Sequence, residues 1–485
     1  MIESYELAVI GAGPAGMEAA VSAAGYGVKT VLIDSYPKPG GQYLMQLSPE
    51  FESRAESKTD ADARKLFKHV NKSPTVKIFD TLVWGIFKEE DGSWLVALYG
   101  KDAPYYIQAD NLVLANGTYD TPIAFPGWTI PGVITCGAAL TLVKNQRVAP
   151  GQRAIISGTG PLLFAVAAHL IEAGVHVLAV CEANHLFPRG IKHTFTMLKQ
   201  WNRLVEGAGY MKTILAAKTA YKIGWSVVEA RGEDSVTQAV IARLDSKGNP
   251  VPGSQKEYDV DLVVSGYSLT PNTGLARMID CEMTWQPQRG GWIPIRDENF
   301  MTSLPGVYIV GDGAGIAGAE NARIEGKLVG AIIAVRLGHI GESRRDLLYN
   351  EMAGSIKQQQ RFAGLLSDLF TPPPGLVNLL TDESVICRCE EVTLGQIKEA
   401  LQNGARSIGE VKMLTRTGMG NCQGRMCERS AAAIVAQKLA PDGAGMEKIG
   451  YYSVRPPLHP LPQSFLARAD PDREGEEEKP LSPAE

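Results

Sequence analysis

The 485-residue chain carries 48 basic side chains against 53 acidic ones, a formal net charge of −5, so it offers no electrostatic footprint for nucleic acid or another polyanion. Its 45% hydrophobic and 21% charged residues suit an ordinary globular protein of about three domains. No apolar run reaches the ~20 residues that a membrane-spanning helix needs, and Glu3 and Glu6 stand where a secretory signal would be basic, which predicts a cytoplasmic protein.

The first element is a βαβ unit, YELAVIGAGPAGMEAAVSAAGYGVKTVLID. An apolar strand (residues 5–10) meets a glycine turn, then a small-residue helix, then a second strand (28–33). Gly11 permits the tight turn, Gly13 lets a pyrophosphate approach the backbone, and Gly16 lets helix and strand pack closely. Asp34 follows 23 residues after Gly11, at the end of the second strand, where a carboxylate can accept from ribose hydroxyls. Residues 75–115 hold short β-type runs broken by EEDGS, the pattern of an antiparallel meander.

A second βαβ start spans 153–182, with Gly158, Gly160 and, at the end of its second strand, Glu182. Leu163 stands where a third glycine or alanine belongs, so the helix must be pushed outward or repacked. Glu182 favours a ribose hydroxyl over a 2′-phosphate, hence NAD over NADP if a nicotinamide nucleotide binds. A vestigial site, or one holding another adenine nucleotide, stays open beside that reading. A β-rich stretch (213–264) comes next, and GVYIVGD (306–312) has the pattern of a strand returning to the N-terminal sheet.

A polar helical stretch (341–370) ends at TPPPG, where three prolines cannot continue a helix. Beyond it, Thr393 with Gln396 and Ser407 with Glu410 form capping-box candidates, and Gly404 closes the first helix. The expected division is 1–120 with 290–340, then 121–289, a linker 341–380, a small domain 381–440 and a tail 441–485. The last ~20 residues have the acidic, proline-containing composition of a disordered segment.

LVLANGTYD (112–120), YIVGDGAG (308–315), PGGQ (39–42) and GYSLTPNT (266–273) resemble segments of the two-dinucleotide-domain flavoprotein family that includes thioredoxin reductase. The resemblance implies a Rossmann-like α/β fold with FAD in the first unit. It also implies flavin contacts at Gly41, Gln42, Gly117, Gly311 and Asp312. Disulfide-reducing members carry a cysteine pair beside the flavin, and no C-x-x-C occurs here, so disulfide reduction is excluded. Cys136 is solitary and reads as a small buried hydrophobe.

Four of the seven cysteines fall late: Cys387 and Cys389 one residue apart, then Cys422 and Cys427 after an interval of 32. A disulfide across a C-x-C closes a strained ring, and structural zinc usually draws on wider C-x₂₋₄-C knuckles. Four thiolates suit a [2Fe–2S] cluster. Zinc and unmetallated thiols are the alternatives. Arg388, Lys412, Arg416, Arg425 and Arg429 lie near the ligands in sequence and can offset the cluster's charge. The flanking TRTGMGNCQGRMC resembles the bacterioferritin-associated ferredoxin domain, a small all-α [2Fe–2S] module.

The whole order, ending in YYSVRPPLHPLP, is similar to the larger subunit of heteromeric flavin dehydrogenases: the A subunit of opine oxidase, the B subunit of hydrogen cyanide synthase and the α subunit of proline or hydroxyproline dehydrogenases. That resemblance implies an electron-transfer subunit. An amino-acid-oxidase-like FAD subunit would oxidise a C–N bond, with FMN at the subunit interface and a quinone or carrier as acceptor. None of the seven histidines forms a recognisable acid–base pair, which agrees with a substrate site on another chain. The alternatives are a self-sufficient NADH-dependent FAD/[2Fe–2S] reductase and a non-catalytic iron–sulfur binding protein that uses the flavin fold as scaffold.

Overall fold

The computed structural model describes residues 2–47, 58–186, 201–439 and 445–469, so residues 470–485, most of the expected disordered tail, lie outside it. The strand Glu3–Ile10 is central and its last residues are buried on both faces, which is why its apolar run is nearly continuous rather than alternating. It pairs in parallel with Thr30–Ile33 on one side and Tyr106–Leu114 on the other, and Val76–Ile78 extends the sheet beyond Thr30–Ile33. Thr81–Lys88 and Trp94–Gly100 add the antiparallel meander against Tyr106–Leu114. The returning strand, Val307–Ile309, pairs in parallel with Tyr106–Leu114 and completes seven strands.

The helix Pro14–Gly25 buries a face of alanine, glycine and methionine. Its partner Ala319–Arg336 comes very close because a Cβ at Gly326 would lie 2.1 Å from the Ala15 carbonyl oxygen and one at Gly330 2.7 Å from that of Ala19. Small residues one turn apart thus let two helices share backbone contact over the sheet.

A second sheet is wholly parallel, in the order Ala220–Ile223, His176–Glu182, Arg153–Gly158, Leu262–Gly266, Val133–Thr135. The helix Trp201–Ala216 leads into its edge strand Ala220–Ile223 and occupies the start of the stretch 213–264 that was expected to be β-rich. A short antiparallel pairing of Thr118–Asp120 with Leu269–Pro271 forms where the chain crosses between the two sheets. Leu163 is buried beside Cys136, and Gly266 makes the room: a Cβ there would lie 2.2 Å from the Cys136 Sγ and 3.5 Å from Leu163 Cδ2. Leucine at the third position is therefore repacked.

The polar helix runs Glu342–Phe370 and stops at the prolines, which lead into a 3₁₀ turn Pro374–Leu379. The last domain holds helices Leu394–Gln402, Ile408–Thr415 and Glu428–Leu439 around a two-strand pairing of Val385–Cys387 with Val392–Thr393. Thr393 and Gln396 form the full capping box. At Ser407 only half forms: its hydroxyl accepts from Glu410 N–H, and the Glu410 carboxylate turns to the amide of Arg406.

One apolar core runs from this small domain into the second sheet, joining Ile386, Ile397, Val411 and Val435 to Phe125, Trp128, Ile155 and Val227. Trp128 Nε1–H donates to the Val385 carbonyl at 2.6 Å. The chain then returns to the first sheet. Leu458 N–H donates to the Trp84 carbonyl at 2.8 Å, Phe465 packs edge-on against Tyr99, and the Tyr106 hydroxyl donates to the Ala469 carbonyl. No helix among the described residues is long and apolar enough to cross a membrane.

Candidate flavin and iron–sulfur sites

Four parallel strands end at the same edge of the first sheet, and the loops leaving that edge bring together Gly11–Gly16, Asp34, Gly41, Gly117 and Gly311–Gly313. Ligands of such sheets sit at the carboxyl ends of the strands. Gly11 has φ +105°, and a Cβ at Gly16 would lie 1.7 Å from the Gly11 carbonyl oxygen, so neither position admits a side chain. A Cβ at Gly13 would meet nothing within 4 Å. That is the open approach a pyrophosphate requires. Pro14 opens the helix directly behind, and no side chain caps its N-terminus at Gly13, the kind of helix end that takes phosphate.

Asp34 accepts from the amides of Ala12 and Tyr36 and is buried, which pushes its carboxyl above the usual range. Gly41 rests on Gly13, since its Cβ would lie 2.9 Å from Gly13 Cα, and Gln42 donates to the Tyr36 hydroxyl at 2.9 Å. Across the gap, the Asp312 carboxylate accepts from Ala317 and Gly318 N–H at 2.9 and 2.8 Å. Gly117 (φ +66°) also faces open space, with Gly313 beside it. These residues fit a flavin nucleotide: open glycines for phosphate, a carboxylate at the second strand, and amides around the far loop.

Sequence reasoning missed one residue of this edge. Glu325 is buried in Ala319–Arg336, accepting from Gly311 N–H at 2.9 Å and from both Arg296 guanidinium nitrogens at 2.7 and 2.9 Å. Burial alone would raise its carboxyl; Arg296 and the donated hydrogen bonds hold it below the ordinary value. The sequence marks it poorly, because Glu325 stands among other charged residues of that helix, Glu320, Arg323 and Lys327.

The second turn repeats neither the backbone nor the opening: Gly160 has φ +105°, whereas Gly13 is extended at φ −73°. A Cβ at Gly158 would lie 1.8 Å from the Gly266 carbonyl oxygen. Glu182 has no exposed surface, and its two oxygens accept from Gly160 and Asn184 N–H, both at 2.9 Å. Where a Cβ at Gly160 would point, Phe370 Cβ stands 3.8 Å away. Six residues on, Leu376 is buried against Ala183, Leu244 and Tyr267. Gly375 N–H donates to the Lys247 carbonyl at 2.8 Å. The linker thus covers both the phosphate turn and the residue after the ribose carboxylate.

The four late cysteines come together as two pairs. Cys387 ends its strand and Cys427 immediately precedes Glu428–Leu439; the Cys427 thiol donates to Cys387 and draws it down to about 6. Thiolate is the iron-binding form. Cys389 lies against Cys422 and is pushed up by burial. Gly418 N–H donates to Cys387 Sγ at 3.4 Å, and a Cβ at Gly420 would lie 2.4 Å from Cys389 Cβ, so the glycine loop wraps the sulfurs closely. Cys387 and Cys427 are buried, Cys422 is half-buried and Cys389 exposed. Among the described residues no three His, Cys, Asp or Glu gather around one point as a single-ion site would require. Two pairs of thiols fit two irons with two ligands each.

The basic residues divide. Arg425 donates to the Cys422 carbonyl at 3.2 Å, Lys412 to Ser453 O at 3.3 Å and Arg429 to Gly290 O at 2.9 Å, whereas Arg416 pairs with Glu390 and Arg388 is exposed.

Comparison with known proteins matches residues 5–326 to the pyridine nucleotide-disulphide oxidoreductase family and residues 385–437 to the BFD-like [2Fe-2S] binding domain. The A subunit of opine oxidase from Rhizobium meliloti (strain 1021) is 31% identical, over 94% of this chain and 97% of that one. The hydrogen cyanide synthase subunit HcnB of Pseudomonas protegens is 30% identical, over 95% and 97%. Among solved structures, L-proline dehydrogenase from P. horikoshii superposes with a TM-score of 0.69 at 21% identity, covering 96% of this chain and 81% of that one, a likeness of fold.

Proposed function

We infer the function from one premise: this chain belongs to the pyridine nucleotide-disulphide oxidoreductase family and carries a BFD-like [2Fe-2S] domain, so it is an oxidoreductase. It acts as the electron-transfer subunit of a heteromeric flavin dehydrogenase that oxidises the C–N bond of an amino acid, imino acid or opine. The substrate site lies on an amino-acid-oxidase-like FAD subunit, FMN sits at the interface between the subunits, and a quinone or carrier takes the electrons. When bound, a flavin accepts two electrons together and releases them singly, while a [2Fe–2S] cluster moves one at a time.

The chain's own residues divide that work. Gly11, Gly13, Gly16 and Asp34 hold the dinucleotide of FAD, and Gly41, Gln42, Gly117, Gly311 and Asp312 surround its flavin end. Cys387, Cys389, Cys422 and Cys427 ligate the irons, and Gly418 N–H directs a hydrogen bond at Cys387 Sγ. Gly158, Gly160 and Glu182 keep the form of a nucleotide turn without serving as a dock for NAD.

The observation that carries this reading is Phe370 over Gly160. With the second turn covered, NADH has no seat from which to reduce this chain, and the electrons have to arrive from a partner. Purified chain mixed with NADH should keep its flavin absorbance, and a panel of amines should give no turnover without a second polypeptide. Rapid bleaching by NADH would overturn the assignment in favour of a self-sufficient reductase. Reconstituted chain reduced with dithionite should give a low-temperature paramagnetic resonance signal; bound zinc and a silent spectrum would remove the cysteines from their role.

A further inference from the structure

Tyr452 belongs to the C-terminal segment, after the helix Glu428–Leu439, yet it is buried in the same apolar core as Ile386, Val411 and Val435. Its ring lies against two glycines of the loop that carries Cys422 and leads to Cys427. A Cβ at Gly418 would fall 2.6 Å from Tyr452 Cε2, and one at Gly424 2.6 Å from Cδ2. Both glycines touch the sulfurs through their backbone: Gly418 N–H donates to Cys387 Sγ at 3.4 Å, and the Gly424 carbonyl stands 3.9 Å from Cys427 Sγ. The neighbouring Tyr451 takes different partners, the Trp292 ring at 5.0 Å and the Arg277 guanidinium at 4.5 Å. One dipeptide thus joins the flavoprotein body to the wall of the cysteine site.

The hydroxyl is what packing leaves unexplained. Tyr452 is 2% exposed, and its hydroxyl finds no nitrogen or oxygen acceptor among the described residues. A buried O–H without an acceptor costs about 1–3 kcal/mol, so phenylalanine would fill the same space more cheaply. The group it meets is Cys427. Cys387 and burial push that thiol up, and the Tyr452 hydroxyl pulls it back, as a donor to the charged sulfur does. An acceptor for this O–H therefore exists once the sulfur is a thiolate, the form that binds iron.

We propose that Tyr452 is a positioning residue for the iron–sulfur site: its O–H donates to the Cys427 sulfur and raises the potential at which the site accepts an electron. A hydrogen bond to a ligating sulfur favours the more negative, reduced state. With Gly418 N–H on Cys387, each of the two buried cysteines then has a donor of its own. The inference rests on the reading of the four cysteines as iron ligands.

The test is a redox titration of the full chain loaded with flavin and cluster, the reduced cluster being read by low-temperature paramagnetic resonance. Tyr452→Phe keeps the ring over Gly418 and Gly424 and removes only the O–H. Its equilibrium constant for reduction should fall by about tenfold, a downward shift of about 59 mV for a one-electron couple, with cluster content unchanged. Tyr106→Phe removes the hydroxyl that ties the same segment to the first sheet through the Ala469 carbonyl, and it should leave the potential in place. In D₂O, the pulsed spectrum of the parent chain should carry a coupled deuteron that Tyr452→Phe lacks. A full complement of cluster whose potential Tyr452→Phe does not move, or which both variants move equally, overturns the proposal alone. A parent chain that assembles no cluster overturns the reading of the cysteines, and the role of Tyr452 with it.

Discussion

Gly13 and Gly160 occupy the same place in two copies of one motif, and the structure treats them oppositely. Beyond Gly13 lies open space; beyond Gly160 lies Phe370. The two glycines also differ in backbone, Gly13 extended at φ −73° and Gly160 left-handed at φ +105°, although each turn ties its carboxylate to backbone amides, Asp34 to Ala12 and Tyr36, Glu182 to Gly160 and Asn184. What also separates them is a segment more than 200 residues downstream of Gly160. Whether a glycine turn can act as a phosphate cradle is decided by what the rest of the chain lays across it.

The sharpest way to break the comparison is to fill both turns. Gly13→Val should abolish flavin binding, a loss of at least about a hundredfold in affinity, with helical circular dichroism preserved, because the side chain enters the space the pyrophosphate needs. Gly160→Val should leave flavin content intact and cost only about 1–3 kcal/mol of stability from its φ of +105°, read by melting with bound flavin monitored. Equal loss of flavin in both would show the two turns to be alike after all.

Next in size is the cover. Leu376→Ala empties a buried site and should destabilise the chain by about 2–4 kcal/mol in chemical denaturation. Phe370→Ala, on the half-buried end of its helix, should cost less and open the second turn; weak, saturable binding of an adenine nucleotide, absent in the parent chain, is the expected sign. Continued refusal of nucleotide would shift the cause of closure to Glu182 and the Gly158–Gly266 contact.

The smallest effect is electrostatic. Burial raises the Glu182 carboxyl above its ordinary value of 4.5, so the folded chain holds that proton more tightly than the unfolded one. The stabilisation is complete below pH 4.5 and is lost as pH rises through the raised folded value. Glu182→Gln should flatten the melting-temperature profile above about pH 4.5 relative to the parent chain. An unchanged slope would mean the carboxyl is not buried as described.

Much of the fold could be read in advance because its signals are local. A strand meeting G-x-G-x-x-G, a second strand with a terminal carboxylate, a capping box at Thr393 and prolines after Phe370 all act over a few residues. The return of Val307–Ile309 to the first sheet was legible because that strand is short, apolar and followed by Gly-Asp. The covering of Gly160 left no such trace, since one aromatic residue at a helix end looks like any other. The contacts of Leu458 and Phe465 with the first sheet were equally silent, because a proline-rich composition suggests a tail and carries no record of distant partners. Glu325 was hidden for a related reason: its guanidinium partner, Arg296, lies 29 residues away and on a different element.

A redox domain on a loose tether can swing between donor and acceptor, and its motion then limits the current. Here the apolar core runs unbroken from Ile386 and Val435 to Phe125 and Ile155, so the iron-bearing end is moulded into its neighbour. Residues 458–469 sew it to the far side as well, and any swing would have to tear hydrophobic packing. On the proposed electron route, tunnelling distance within the chain would therefore be a property of the fold, fixed once and shared by every turnover.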